Sequence, residues 1–354
     1  MTVHVNELDF SQFAPEFTPE SNWGKCLTSY LAQIHRKSNS PHTLEHYRAT
    51  LQGFFSSLPL KMPSLKSRED VEQFITTPGR RHGQGYGKPV GPGTSNNKLI
   101  TLRSFYHYAA SYGVQGDDGM LYPLFKYLSP TAGIYYAQRP QAGNKALSDE
   151  ELRRFFAAIG TEGLRAKRDR ALFLALFWCA RRVSEITELR WQNIAQTMIV
   201  ESTGSRMAWT YTFFGKGRKA IADVSEYPPI AAAALFSYLE ESGRLATMEP
   251  TDAVFTALPD YVGRGHYDPK RPLIPQQVWR RAHEYGVKAG LNRPITTHIF
   301  RHTCARIAYT NGASLRDVQQ KLRHKNLATT SLYLETLVSV SDNTLDRLHQ
   351  FANL

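Results

Sequence analysis

A stretch dense in proline, glycine and alanine, SPTAGIYYAQRPQAGNKA over residues 129–146, divides this 354-residue chain. Such a composition resists regular structure, and the length suits two domains. The two sides differ in periodicity. Upstream, apolar residues recur only at helical spacing; downstream, helices flank a short block with strand character. The expected fold class is therefore mainly α with a small antiparallel β-sheet, an N-terminal helical domain preceding an α+β domain. We set the boundaries at an acidic leader over 1–20, a helical domain over 21–130, a linker over 131–146, a second domain over 147–335 and a tail over 336–354.

Upstream of the linker, WGKCLTSYLAQIHRK places Trp23, Leu27, Tyr30, Leu31 and Ile34 on one helical face. SPHTLEHYRATLQGFFSSL opens on a Ser-Pro start signal, and SREDVEQFI has Ser67 as N-cap with acids in its first turn. TPGRRHGQGYGKPVGPG then reads as a loop, and SNNKLITLRSFYHYAASYG as a further helix. Between Glu72 and Asp117 there is no acid, but there are Arg80, Arg81, Lys88, Lys98 and Arg103. A basic loop feeding a basic helix start predicts a phosphate-contacting face; the plainer alternative is a solvated charged surface.

Downstream, LSDEELRRFFAAI starts a helix at Ser148, and RDRALFLALFWCARRVSEITEL reads as one long apolar helix turning polar near Arg181. TMIVES and MAWTYTFFGKGRKAIADVS read as strands, the second turning at Gly215-Lys216-Gly217. Helices follow in PPIAAAALFSYLEES, PQQVWRRAHEYGVKAG, ITTHIFRHTCARIAYTNG, SLRDVQQKL, NLATTSLYLETL and DNTLDRLHQF.

Charge narrows the partner. Lys and Arg number 43 against 31 Asp and Glu, a net of +12. A polyanion, nucleic acid first, fits this excess. Residues 1–145 hold 15 basic and 10 acidic residues and the remainder 28 and 21, so both halves share it. Arg280 and Arg281 lie in a second basic stretch between Arg264 and Arg293. The three cysteines form neither a disulfide framework nor a CxxC metal pattern; Cys179 and Cys304 read as core. No signal peptide or spanning run is legible, so a cytoplasmic, soluble protein without a membrane partner is expected.

The stretch from His298 to Tyr333 then concentrates chemistry: His298, Arg301, His302, His324 and Tyr333. Together with Arg182 and Lys216 this set suits holding a phosphodiester while a phenol attacks it. Arginines fork onto non-bridging oxygens, Tyr333 can be the nucleophile, Lys216 at a tight turn can reach a leaving 5′ oxygen, and His324 can donate to the phosphate. His298 and Arg301, three apart, converge on one helical face. Taken singly each has a plainer reading: Arg182 beside Arg181 as a surface pair, Lys216 as an exposed hairpin lysine, His302 as a core histidine, Tyr333 as an ordinary tyrosine. His298 and His302 could also chelate zinc, but HIFRH lacks a metalloprotease glutamate and places an arginine between the ligands. With no acidic metal cluster, metal-independent chemistry is expected.

In order, these elements resemble the tyrosine recombinase (phage-integrase) family over about residues 20–345. Cys179-Ala180-Arg181-Arg182-Val183-Ser184-Glu185-Ile186 is similar to T-G-x-R-x-S-E-L, and register on Ser184-Glu185 selects Arg182 over Arg181. His298 to Thr303 is similar to H-x-L-R-H-T, and Leu322 to Tyr333 to L-G-H-x-x-x-x-T-T-x-x-Y. Ala180 and Arg323 stand where the family has glycine, and the interval from Lys216 to His298 is long. The resemblance implies a helical, SAM-like core-binding domain and a catalytic domain clamping DNA, in the simple two-domain Xer or Cre branch. It implies catalytic Arg182, Lys216, His298, Arg301, His324 and Tyr333, with Glu185 and His302 supporting them. It also implies a 3′-phosphotyrosyl intermediate, no cofactor, and a monomer that assembles as a tetramer on paired double-stranded sites through a Holliday junction. Accessory DNA-bending proteins and, in a prokaryotic host, nucleoid association fit the same frame. A type IB topoisomerase-like enzyme and a DNA-binding architectural protein are the rival readings.

Overall fold

The computed structural model describes Phe10 and residues 17–38, 40–57, 66–78, 90–114, 129–138, 146–201, 204–214, 222–258 and 267–324. The chain forms two compact units, Met1–Pro140 and Gln141–Leu354.

The first unit is helical: α1 (Asn22–Ser38), α2 (Pro41–Phe55), α3 (Arg68–Thr76) and α4 (Pro92–Tyr112). Local signals set their ends. Ser40 caps α2 through the Thr43 amide, with Pro41 at the first helical position. Ser67 and Asp70 close a reciprocal capping box on α3. Gly113, at φ 77°, stops α4, which begins at Pro92, three residues ahead of the predicted Ser95. Trp23, Leu27, Tyr30 and Leu31 of α1 are buried as the periodicity predicts, against Phe54 and Phe55 of α2 and Leu102 and Phe105 of α4; Ile34 packs at the margin. The core also takes Phe17, from the end of the expected leader, whose ring lies 4.8 Å from Phe55. Gly24 permits this approach: a Cβ there would meet the Thr18 carbonyl oxygen at 1.8 Å.

The second unit contains α5 (Asp149–Ile159), α6 (Leu164–Trp178), α7 (Val183–Thr187), β1 (Ile194–Glu201), β2 (Gly204–Phe214), β3 (Ala222–Glu226), α8 (Pro229–Glu241), α9 (Pro275–Lys288), α10 (His298–Thr310) and α11 (Leu315–Leu322). The sheet is antiparallel in the order β1-β2-β3, with Ile194 opposite Tyr211 and Phe213 opposite Asp223. Residues Ala171 to Phe177 of α6 are all buried, and α6 packs against α5, α7, α8 and α10. Phe155, Phe173 and Phe300 form an aromatic knot with centroids 4.9 to 5.2 Å apart. Each such burial contributes roughly 1.5–3 kcal/mol, and Phe300 thereby fixes the helix that carries Arg301. The buried Asp169 carboxylate accepts from Arg168 and from the Tyr285 hydroxyl at 2.7 Å, so its charge is not left bare inside the core.

One element differs from the sequence reading. The long helix expected through Arg181 ends at Trp178, and a separate short helix starts at Val183. Ala180, at φ 51°, causes the break, because left-handed backbone cannot continue a right-handed helix.

Candidate active site

The break between α6 and α7 sends its two arginines into different surroundings. Arg181 is buried, and its Nε donates to the Tyr211 hydroxyl at 2.8 Å, Nη1 to the Lys321 carbonyl at 2.8 Å and Nη2 to the Ser225 hydroxyl at 3.1 Å. Its guanidinium carbon lies 4.4 Å from the Phe213 ring centre. Arg182 keeps its side chain 39% exposed and pairs with Glu185, itself only 6% exposed. One Glu185 oxygen accepts from the Arg182 guanidinium at 2.9 Å, the other from the Arg182 amide at 3.0 Å. Glu185 thus closes the start of α7 and restricts the arginine's swing together.

Arg301, on α10, is buried and donates to two carbonyls, those of Ala180 and Leu322. One guanidinium therefore ties the Ala180 turn to the end of α11. A short-chain amine could not span both, since the planar fork carries separate donors in fixed directions. The Thr303 hydroxyl donates to the Ile299 carbonyl at 2.7 Å and accepts from the Leu147 amide at 2.9 Å, anchoring the same helix to the start of the unit.

Helix α11 opens on a Ser314–Asp317 capping box and ends at Arg323, φ 53°, the second non-glycine residue with positive φ among those described. His324 follows, and its backbone is held at both ends: the amide donates to the Gln319 carbonyl at 3.1 Å and the carbonyl accepts from the Gln319 side chain at 3.0 Å. The turn and the buried arginines together orient this histidine.

The histidines report the local field. His324 is pushed down to about 4, by desolvation first and then by repulsion from Arg301 and Arg182. His298 is lowered for the same reasons in the same order, with Glu185 opposing the shift. Both imidazoles are therefore neutral at pH 7, each able to donate one N–H and accept one proton. The two guanidinium groups that add to this lowering would attract a phosphate.

Arg182, Glu185, His298, Arg301 and His324 thus share one electrostatic neighbourhood, with His302 half-buried on α10. Lys216 and Tyr333, and with them Arg80, Arg81 and Lys88, lie outside the described residues. Lys98 directs its ammonium to the Phe74 and Thr77 carbonyls, 2.8 Å each, at the end of α3. Arg103 donates to the Thr131 and Ile134 carbonyls and lies 4.7 Å from the Tyr136 ring centre. Arg281 pairs with Glu284 at 2.8 Å, whereas Arg280 is exposed. Sequence reasoning missed Arg181, Gln319 and Arg323 as supports of the site. The family's glycines at 180 and 323 were the available signal, because glycine is favoured where φ is positive. Cys179 and Cys304 are buried, as their apolar context suggests. Among the described residues, no group of three or more His, Cys, Asp or Glu side chains could hold a metal ion, and no helix is long and apolar enough to cross a membrane.

Residues 145–339 match the Phage integrase family, and residues 27–113 match the Phage integrase, N-terminal SAM-like domain. The chain belongs to the phage integrase family. It is a site-specific DNA recombinase of the tyrosine type, on the Xer side of that family. Tyrosine recombinase XerC of Halalkalibacterium halodurans is 28% identical over 88% of this chain and 91% of its own length. Tyrosine recombinase XerD of Listeria innocua is 26% identical over 85% and 90%. The fold is similar to XerH site-specific recombinase bound to palindromic difH substrate, with a TM-score of 0.61, 16% identity and coverage of 97% of this chain and 92% of that one. It is also similar to a lambda integrase tetramer bound to a Holliday junction, at 0.59, 15%, 94% and 81%.

Proposed function

We propose that this recombinase cuts each strand by attack of the Tyr333 phenol on a phosphodiester, forming a 3′-phosphotyrosyl bond and a free 5′-hydroxyl. A 5′-hydroxyl from the partner duplex then attacks that bond and releases the tyrosine. The phosphoester bond is conserved at each step, so no ATP is required, and the protein's own cations offset phosphate charge without a metal. Arg182 and Arg301 hold the non-bridging oxygens, and His324 donates to the same phosphate. His298 takes the phenol proton, and Lys216 protonates the leaving 5′ oxygen. Glu185 orients Arg182, and His302 supports the helix that carries Arg301.

One observation carries this reading: His298 and His324 are both lowered, first by desolvation and then by Arg301 and Arg182, which sets two partly buried imidazoles beside the same two guanidinium groups. Substrate follows from the charge excess shared by both halves, and contact with duplex DNA includes the exposed Arg280. We assign Arg80, Arg81 and Lys88 to the same phosphate-facing role. In this reading a free monomer assembles as a tetramer on two paired sites, with two strand exchanges through a Holliday junction; lambda integrase, which shares the fold, forms a tetramer on such a junction. Residues 1–20 act as leader, 21–130 as the core-binding domain, 131–146 as linker, 147–335 as the catalytic domain and 336–354 as a tail that docks on a neighbouring protomer.

Nicked suicide duplexes test the chemistry, because loss of the short fragment traps the cleaved strand. Wild-type protein is expected to form an adduct that survives denaturing electrophoresis. Tyr333→Phe is expected to bind with unchanged affinity and form none. An adduct from Tyr333→Phe would remove Tyr333 as nucleophile, and tight binding without any adduct would favour a purely DNA-binding role.

A further inference from the structure

Arg323 occupies a backbone conformation that disfavours it, φ 53°, at the end of α11. Strain of this kind persists where the surroundings over-determine it. Its side chain supplies that determination. Nη1 lies 2.7 Å from the Asp223 carboxylate, and Nη2 reaches the Val224 carbonyl at 3.3 Å and the Ser225 hydroxyl at 3.5 Å. The guanidinium carbon lies 5.8 Å from the Phe213 ring centre, the ring that Arg181 also covers. Ser225 accepts from Arg181 as well, so two arginines converge on one strand residue. All three β3 partners lie immediately after the connection that bears Lys216, and Asp223 pairs with Phe213 near the end of β2.

The ion pair is not a strong stabiliser. Arg323 is 42% exposed and Asp223 18% exposed, and a pair so placed adds little to folding. What the fork adds is direction, because a guanidinium held by a carboxylate and a carbonyl has few alternative poses. We propose that Arg323 is a positioning residue for the recombination reaction. By clasping β3 at Asp223, it sets the β2–β3 hairpin against the turn carrying His324, so that Lys216 delivers its proton to the leaving 5′ oxygen. The inference rests on the assignment of Lys216 as proton donor. In the step concerned, the Tyr333 oxygen bonds to phosphorus, the bond from phosphorus to the 5′ oxygen breaks, and the Lys216 proton moves to that oxygen.

Arg323→Gly is an informative variant, since glycine suits the backbone and leaves the turn intact while removing the clasp. Asp223→Asn loosens it from the other side without touching the turn. Both are compared with wild type in single-turnover cleavage of the duplex that yields the Tyr333 adduct. One substrate carries an ordinary scissile phosphate, the other sulfur in place of the bridging 5′ oxygen; a thiolate leaves without needing a proton. Each variant is expected to cleave the oxygen substrate about tenfold more slowly, a modest share of what a general acid supplies, and the sulfur substrate at the wild-type rate. The double variant should be no slower than the slower single one. An equal defect on both substrates, or no defect on the oxygen substrate, overturns the proposal. Lys216→Ala separates the two layers. Its defect should vanish on sulfur; if it does not, the proton-donor assignment falls and the clasp with it. If Lys216→Ala is restored and Arg323→Gly is not, the clasp alone is wrong.

Discussion

The two units use cations against carbonyls in different ways. In the first, Lys66, Lys98 and Arg103 sit around an apolar core, each reaching a backbone carbonyl and an aromatic ring. They bind loop ends to helices that would form without them. In the second, Arg181 and Arg301 are themselves core residues, and the carbonyls they hold, at 180, 321 and 322, belong to two turns that bear Arg182 and His324. The first arrangement fastens structure that local sequence already favours. The second replaces local preference, because both turns contain a non-glycine residue in left-handed backbone.

The largest expected contrast is between adjacent arginines. Arg182→Ala should slow single-turnover cleavage by about 10²–10³-fold, the usual effect of losing one transition-state donor, while stability falls by only about 1–2 kcal/mol, because the buried Glu185 carboxylate loses one donor and keeps the Arg182 amide. Arg181→Ala should lower unfolding free energy by about 3 kcal/mol, because it strips buried acceptors of their donor. Urea melts beside cleavage rates would check this, and a stable but inactive Arg181→Ala would reverse the assignment. A smaller contrast separates two basic residues read alike from the sequence. Arg280→Ala should reduce the slope of log affinity against log salt by about 1. Lys98→Met should leave that slope unchanged and cost about 1 kcal/mol of stability. Matching salt slopes for the two variants would return Lys98 to the DNA face.

Acidification should sharpen the comparison further. His324, at about 4, and the lowered His298 titrate below the ordinary histidine value of 6.5. The folded form therefore resists protonation more than the unfolded chain does. Their contribution to stability is complete above 6.5 and declines as pH falls from 6.5 toward 4. His324→Gln should flatten that decline in urea midpoints measured at pH 7.5 and 5; an unchanged slope would show that the histidine is not shielded as described. The smallest effect is at Ala180. Glycine there should stabilise by about 0.5–1 kcal/mol, the relief of left-handed strain exceeding the added freedom of the unfolded chain. Calorimetry of Ala180→Gly would check it, and a loss of stability would mean that the Ala180 methyl group is needed in the core.

Much of the fold was legible because its signals are local. Ser67 and Ser148 read as N-caps in the sequence, and both they and Ser314 close a capping box with the acid three residues on. The buried face of α1 follows from spacing alone. The break after Trp178 has no local signal in ALFLALFWCARRVSEI, since alanine is the best helix former; only the family's glycine at position 180 points to it. The turn is held from a distance: Arg301, more than a hundred residues away, donates to the Ala180 carbonyl.

The sequence by itself determined the starts of α2, α3 and α5, the two-part division, the positive charge and the ordered boxes that hold Arg182, His298, Arg301 and His324. These depend on neighbours in the chain or on residue types at stated spacing. Only the tertiary structure decided which of two adjacent arginines is buried, where Lys98 and Arg103 send their charge, and that both histidines are neutral. Burial, dielectric and the reach of a guanidinium are properties of what packs around a residue, and no pattern of nearest neighbours contains them.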